Sequence, residues 1–355
     1  MALLIDYGLV TAQRAPEDAT PWTEVYDDVL AVAAAVEAAG FDGLWVSEHH
    51  FTDDGYMSGL FPVLGALASV TKRMTLGTNV ALAPLYNPLR LAEDAAVVDV
   101  LSHGRLLLGL AIGYRDEEFA ALGVPKRERV ARLQECVAVC RKAWTGERFS
   151  HSGVTTTIDG LVVRPTPASP PPIWLGGWVD AAIERAAALG NGYISPLGDL
   201  DDTIRRVDVL DGATERLGRA APLPIGTATW CALTPKASSQ SDTSSILRGV
   251  AHLYDRYANW YGSSTDVGGG RAVGEMIAQI LGLPSDQLPP TIVSGSAEQV
   301  VAALAPLAAQ FSDSRDHRLC VRLQYPGMSR TEVLDQITHF STEVMPALRA
   351  AASRS

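Results

Sequence analysis

Phe41-Asp42-Gly43-Leu44-Trp45-Val46-Ser47-Glu48-His49-His50-Phe51 is the stretch on which the fold turns. An apolar run of strand length, Gly43 to Ser47, passes without a linker into Glu48, His49 and His50. A strand that is apolar on both faces belongs in a sheet covered on both sides, as parallel sheets are. In such sheets, a polar cluster at the carboxyl end of a strand marks the catalytic face.

Seven further runs supply the rest of that sheet, near Leu3 to Tyr7, Met74 to Asn79, Leu106 to Leu110, Ile173 to Gly176, Gly192 to Ser195, Ile225 to Cys231 and Arg318 to Leu323. Amphipathic stretches alternate with them: Trp22 to Ala39, Pro62 to Val70, Pro88 to Leu101, Glu128 to Trp144, Ala181 to Leu189, Asp202 to Leu217, Ser296 to Ala309 and Arg330 to Leu348. Eight strands alternating with eight helices predict an α/β fold, a (β/α)8 TIM barrel formed as a single domain over residues 1–355. Pro88 is read as the first residue of its helix, and Gly40, Gly104 and Gly190 as left-handed caps. Two segments exceed a normal connection. About 149–164, the alternation of Val154, Thr156 and Ile158 before Asp159-Gly160 predicts a β-hairpin excursion. About 259–291, Gly268-Gly269-Gly270, Pro284, Pro289 and Pro290 predict a lid-like insertion at the barrel mouth.

The bulk composition narrows the partners. With 47% hydrophobic and 19% charged residues the chain has ample material for a core, and a net charge of −11 opposes nucleic acid and anionic membranes. A small-molecule partner is favoured. Every apolar run is cut by charge before it could span a bilayer, and Met1 to Gly8 carries no basic leader and is broken by Asp6, so a cytoplasmic protein is expected. Cys136 and Cys140 lie four apart in a helical pattern, far from Cys231 and Cys320, which suits reduced thiols.

Three stretches have residue types fit for chemistry. His49 and His50, beside Glu48, suit a general base or a hydrogen bond to a cofactor ring, and equally a helix cap or a ring packed on Trp45. Adjacent histidines on a strand face opposite ways, and His103, His151, His252, His317 and His339 form no second ligand motif, so no metal is expected. Pro172-Ile173-Trp174-Leu175-Gly176-Gly177-Trp178-Val179-Asp180 runs from a strand through a glycine pair into a helix start, which suits either a phosphate seat or a plain turn. Gly104-Arg105-Leu106-Leu107-Leu108-Gly109-Leu110-Ala111-Ile112-Gly113-Tyr114, followed by Glu117-Glu118-Phe119, leaves room for a flat ring or for close helix packing.

Taken together the chain resembles the bacterial luciferase-like flavin monooxygenases, on the side of the luciferase α subunit. The likeness is carried by Glu48-His49-His50-Phe51-Thr52 with Gly55, Gly77-Thr78, Pro88-Leu89-Arg90 with Glu93-Asp94, Gly104-Arg105, Trp144-Thr145-Gly146-Glu147, Gly176-Gly177 and Val344-Met345-Pro346, in order along nearly the whole chain. It implies that His49 is the catalytic base or proton manager beside the flavin, with His50 and Glu48 supporting it. It implies a non-prolyl cis peptide at Asn79-Val80 under the isoalloxazine, and backbone groups of Gly177, Trp178 and Val179 on the FMN phosphate.

The resemblance implies a monooxygenase in which reduced FMN, supplied by a separate flavin reductase, reacts with dioxygen at C4a and oxygenates an aldehyde, a ketone or a natural-product intermediate. Leu82, Leu85, Ala111, Ile112 and Trp178 are the apolar residues expected to keep water from that site. A homodimer packed through about Pro62 to Val70 and Pro88 to Leu101 is implied as well. Departures are specific. The family's phosphate-binding arginine falls on Ile112 and its reactive-cysteine position on Ala111, which leaves Arg129 or Arg132 to compensate, and helix-start hydroxyls are replaced by Val179 and Ala182. Two alternatives share the barrel: an F420-dependent hydride transferase, and a non-catalytic flavin-binding partner subunit.

Overall fold

The computed structural model describes residues 3–219, 222–234, 243–262 and 292–353. Eight parallel strands close into a barrel in the order β1 (Leu3–Val10), β2 (Gly43–Val46), β3 (Thr75–Thr78), β5 (Leu106–Ala111), β8 (Ile173–Gly176), β9 (Gly192–Ser195), β10 (Ile225–Leu233) and β12 (His317–Arg322). Pairing of β12 back on β1, with Cys320 opposite Asp6, shuts the cylinder. Two short strands ride on its rim: β4 (Ala81–Leu82) pairs with the end of β5, and β11 (Ile292–Gly295) with the end of β10. The (β/α)8 expectation is met.

Around the barrel lie α1 (Trp22–Ala38), α2 (Leu60–Val70), α3 (Pro88–Ser102), α4 (Asp116–Ala121), α5 (Arg129–Ala143), α6 (Asp180–Leu189), α7 (Leu200–Arg216), α8 (Thr243–Gly262), α9 (Ala297–Ser312), α10 (Arg330–His339) and α11 (Met345–Ala352). Pro88 does open α3, where the Asn87 side chain accepts the N–H groups of Leu89 and Arg90. The last helical stretch is interrupted by a π turn over Phe340–Val344. Between Cys231 and Ser296, α8 was not anticipated, and residues 259–262, read as the start of a lid, close that helix; the remainder of the expected lid, 263–291, lies outside the described residues.

Two local expectations are corrected. The excursion is an antiparallel hairpin of β6 (Phe149–Ser152) and β7 (Thr157–Leu161), but the chain reverses at residues 153–156. Gly160 sits inside β7 at φ 59°, near a shift in register, so its left-handed backbone marks an irregular strand rather than the turn. Gly40 and Gly104 are left-handed as expected, whereas Gly190 is extended at φ −81° and ψ 160°. Its glycine serves close approach instead: an added Cβ would lie 2.7 Å from the Gly192 carbonyl oxygen and 2.8 Å from that of Ala186.

Inward-facing side chains fill the cylinder. Trp45 and Trp174 meet with ring centroids 6.2 Å apart, and Leu107, Ile194 and Cys320 complete the plug. Facing strands make room with glycine, since a Cβ on Gly77 would lie 2.4 Å from Trp45 and one on Gly192 2.5 Å from Trp174. Under the indoles, at the amino-terminal end, buried Asp6 accepts from Trp45 Nε1 at 2.8 Å and from Arg318 Nη1 at 2.9 Å, while Arg318 Nη2 donates to Thr75 Oγ1 at 2.9 Å. The plug is therefore wet by no solvent and closed by a satisfied ionic floor, so any ligand must enter from the carboxyl ends of the strands.

Candidate active site

The carboxyl end of β2 places Glu48, His49 and His50 at the open mouth, on the stretch singled out by its sequence. His49 is 6% exposed, and its ring points inward. Its Nδ1 lies 2.9 Å from Glu118 Oε1 and its Nε2 3.3 Å from the Tyr114 hydroxyl. A carboxylate can only accept, so that contact puts a proton on Nδ1, while Nε2 meets the Tyr114 hydroxyl. Tyr56, at 4.8 Å, and Trp260 of α8, at 4.7 Å between centroids, pack the imidazole from two sides.

Glu118 was not picked out for this role by its sequence. It stands 69 residues from His49 in sequence and arrives with α4, which folds over the end of β5. Burial pushes its carboxyl up, but the His49 hydrogen bond and charge, the His50 N–H and the Arg115 guanidinium more than offset this and hold it below the usual carboxylate range. Arg115 Nη1 reaches Glu118 Oε1 at 3.1 Å and the His50 carbonyl oxygen at 2.7 Å, and its guanidinium lies over the Trp260 ring. The result is a buried carboxylate that stays charged and fixes the imidazole's tautomer and orientation.

Glu48 does a neighbouring job. One oxygen accepts the Leu82 N–H at 2.6 Å, and the other accepts the Tyr86 hydroxyl at 2.5 Å and faces His50 Nε2 at 3.0 Å. It thus ties the end of β2 to the loop after β3. Burial lowers the His50 pKa, but the hydrogen bond and charge of Glu48 raise it above the ordinary imidazole value. Between β3 and β4 the Asn79-Val80 peptide is cis, as the resemblance implied; Gly8-Leu9 and Arg164-Pro165 are cis as well.

Across the mouth, Gly176 leaves a cradle: a Cβ there would still be 3.4 Å from its nearest neighbour, Val80 Cγ1. Gly177 is tight instead, with an added Cβ 2.5 Å from that of Ala182. No side chain caps α6 at Val179; the Ala182 N–H is taken by the Val179 carbonyl oxygen at 2.8 Å, as is that of Ile183 at 3.1 Å. Trp178 packs on the guanidinium of Arg206 at 5.4 Å. Ala111 and Ile112 are half-buried beside that corner.

The two arginines proposed from sequence part company. Arg132 is bound at 3.2 Å to Glu128, just ahead of its helix, whereas among the described residues Arg129 reaches the Gly113 carbonyl alone, at 3.5 Å. Arg185 of α6, unnoticed in the sequence, stands in the field of Arg129; burial and that like charge both lower its pKa. Arg129, at the start of α5, and Arg185, within α6, are thus close enough for each to feel the other's charge.

Residues 5–314 match the family model described as luciferase-like monooxygenase, and the chain belongs to that family. It is 32% identical over 203 residues to the F420-dependent glucose-6-phosphate dehydrogenase of Nakamurella multipartita, covering 54% of this chain and 59% of that one. It is 26% identical over 206 residues to the oxygenase component of the flavin-dependent trigonelline monooxygenase of Acinetobacter baylyi, covering 57% of each. The chain spans little more than half the length of these curated relatives. Among solved structures, that of monooxygenase RslO1 from Streptomyces bottropensis superposes with a TM-score of 0.76 at 22% identity, covering 98% of this chain and 99% of that one. These relatives are oxidoreductases, and they include both an F420-dependent and a flavin-dependent enzyme.

Proposed function

We propose that this protein is a monooxygenase that takes reduced FMN and dioxygen to a small organic substrate in the barrel mouth. The observation that carries the reading is the His49–Glu118 pair, a buried imidazole held at Nδ1 by the carboxylate with Nε2 turned to the Tyr114 hydroxyl, on the same barrel mouth as the cis Asn79-Val80 peptide and the Gly176 cradle. When bound, reduced FMN supplies the electrons that activate dioxygen. Gly176, Gly177, Trp178 and Val179 would hold its phosphate with Arg129 and Arg185, and the cis peptide would support its ring.

The chain's own residues then have defined tasks. His49 Nε2 takes or returns a proton at the ring edge or the substrate, while Glu118 and Arg115 keep the imidazole aligned. Aromatic rings from α8 exclude water: Trp260 covers His49, and the Tyr257 hydroxyl meets that of Tyr56 at 3.1 Å. A flavin reductase is the partner the reading requires, and a homodimer through α2 and α3 is part of it. Val97, Val100 and Leu101, 42%, 45% and 53% exposed at helical spacing on α3, support that second point.

An F420-dependent hydride transferase is the second reading, favoured by the dehydrogenase relatives and by the same two arginines, which would also suit an acidic tail. Anaerobic titration with reduced FMN and reduced F420, followed by admission of oxygen, separates the two. The monooxygenase reading expects tighter binding of reduced FMN and a course of its oxidation by oxygen that differs from that of free reduced FMN, which is oxidised unaided. Tighter binding of F420, with reduced FMN oxidised as it is without the protein, overturns it.

A further inference from the structure

Strand β12 turns Arg318, Cys320 and Arg322 inward in succession, because side chains two apart share a face. Arg318 is spent on Asp6 and Thr75, and Cys320 packs in the indole plug. Arg322, at the mouth, is different. It is 2% exposed, its Nε donates to the Gln324 carbonyl oxygen at 2.9 Å, and its Nη1 is buried with no acceptor. No carboxylate pairs with it among the described residues. Opposite it in register on β10 stands Trp230, also 2% exposed, with its ring 5.6 Å from the guanidinium carbon. The indole Nε1 of Trp230 is buried with no acceptor too.

Two adjacent orphan donors, one of them cationic, ask for the same thing. A buried cation without a counter-ion is costly, and a buried N–H without an acceptor is costly on its own account. One oxygen carrying negative charge would answer both. Among the described residues no nearby group supplies it: the Tyr325 hydroxyl, whose one proton is shared between the carbonyl oxygens of Cys231 and Arg322, carries no charge and is not bonded to either donor. One aromatic ring separates the seat from the imidazole: Tyr257 lies with ring centroids 6.0 Å from Trp230 and 6.4 Å from His49.

We propose that Arg322 and Trp230 form an anion seat in the barrel mouth for a charged oxygen, either a carboxylate of the molecule being transformed or the anionic pyrimidine edge of the reduced cofactor. The assignment rests on the flavin reading only for what shares the mouth with the seat; the donors stand on geometry alone.

The probes are benzoate, its uncharged amide benzamide, oxidised FMN and reduced FMN, each titrated into the wild-type chain and into Arg322→Gln, Arg322→Lys and Trp230→Phe. The indole N–H resonance of Trp230, assigned by its absence from Trp230→Phe, is the structural readout. A substrate seat shows as a shift of that resonance with benzoate and about tenfold weaker benzoate binding in Arg322→Gln, partly restored in Arg322→Lys, with benzamide unaffected. A cofactor seat shows instead as about tenfold weaker binding of reduced FMN in Arg322→Gln with oxidised FMN unchanged. If neither anion moves the wild-type resonance, the seat is overturned, and that reading holds even where Arg322→Gln fails to fold. Benzoate moving the resonance in a chain that binds no FMN would keep the seat and remove the flavin reading.

Discussion

Arg318 and Arg322 sit four residues apart on one strand and one face, yet the molecule treats them in opposite ways. At the floor, Arg318 meets both oxygens of buried Asp6 at 2.9 Å and a threonine besides. At the mouth, Arg322 has a single backbone carbonyl as acceptor, beside an indole N–H equally without one. The paired arginine is also the more exposed one: 13% of the Arg318 side chain is open, against 2% exposure for Arg322. Want of a partner does not by itself mark a ligand site, since Arg315 Nε and His317 Nδ1 are buried without one as well; what sets Arg322 apart is its place at the carboxyl end of β12, opposite a second such donor on β10. At His49 one nitrogen is committed to the Glu118 carboxylate and the other meets the Tyr114 hydroxyl.

The largest effect expected at the mouth is on turnover. His49→Ala should lower kcat by about 100- to 10,000-fold, the usual worth of a positioned acid or base, with little change in thermal stability. Formation of oxygenated product measures it, and unchanged turnover of a true substrate would remove His49 from the mechanism.

The floor should answer in stability instead. Arg318→Gln strands the buried Asp6 carboxylate, whose pKa burial already raises against the pull of Arg318 and Trp45, and it should cost about 3–5 kcal/mol in urea unfolding. Arg322→Gln removes a cation that has no counter-ion and should cost less than about 1 kcal/mol, or stabilise the chain. Equal losses at the two positions would break the contrast.

Smaller effects should come from groups that act through others. Glu118→Gln keeps the shape of the side chain but loses the charged acceptor on His49 Nδ1, and should cost about ten- to hundredfold in kcat while the affinity for reduced FMN moves much less. An equal loss in affinity would make Glu118 a cofactor ligand rather than a positioning residue.

The smallest effect lies far from the mouth, at His317, buried against Thr227 at 2.8 Å. Burial, with the Arg315 charge, lowers its pKa to about 3. Below about pH 6.5 the unfolded chain takes up a proton that the folded chain refuses, so His317 should cost up to about 1.4 kcal/mol per pH unit as pH falls from 6.5 to 5. His317→Gln should flatten the stability curve over that window; an unchanged slope would contradict the buried neutral state.

The sequence showed the barrel and the β2 end of its mouth because both are local signals. Apolar runs alternate with amphipathic stretches, and the polar residues of Glu48-His49-His50 follow their strand at once. Glu118 was out of reach because a carboxylate on a short helix says nothing of which imidazole it will meet after the chain closes. Helix α8 left a trace that went unread: Val250, Leu253, Tyr254, Tyr257 and Trp260 recur at helical spacing and roof the site. Arg322 could not be told from Arg318 by alternation alone, since which of them is paired depends on where Asp6 falls once β12 closes against β1.

The most direct test of the central claim is a crystal structure of the protein soaked with FMN. The account predicts the ring across the barrel mouth with its edge against the His49 imidazole, its underside on the Asn79-Val80 peptide, and its phosphate at the Gly176-Gly177 corner within reach of Arg129 and Arg185. A flavin bound elsewhere, or one whose ring leaves His49 untouched, would contradict it.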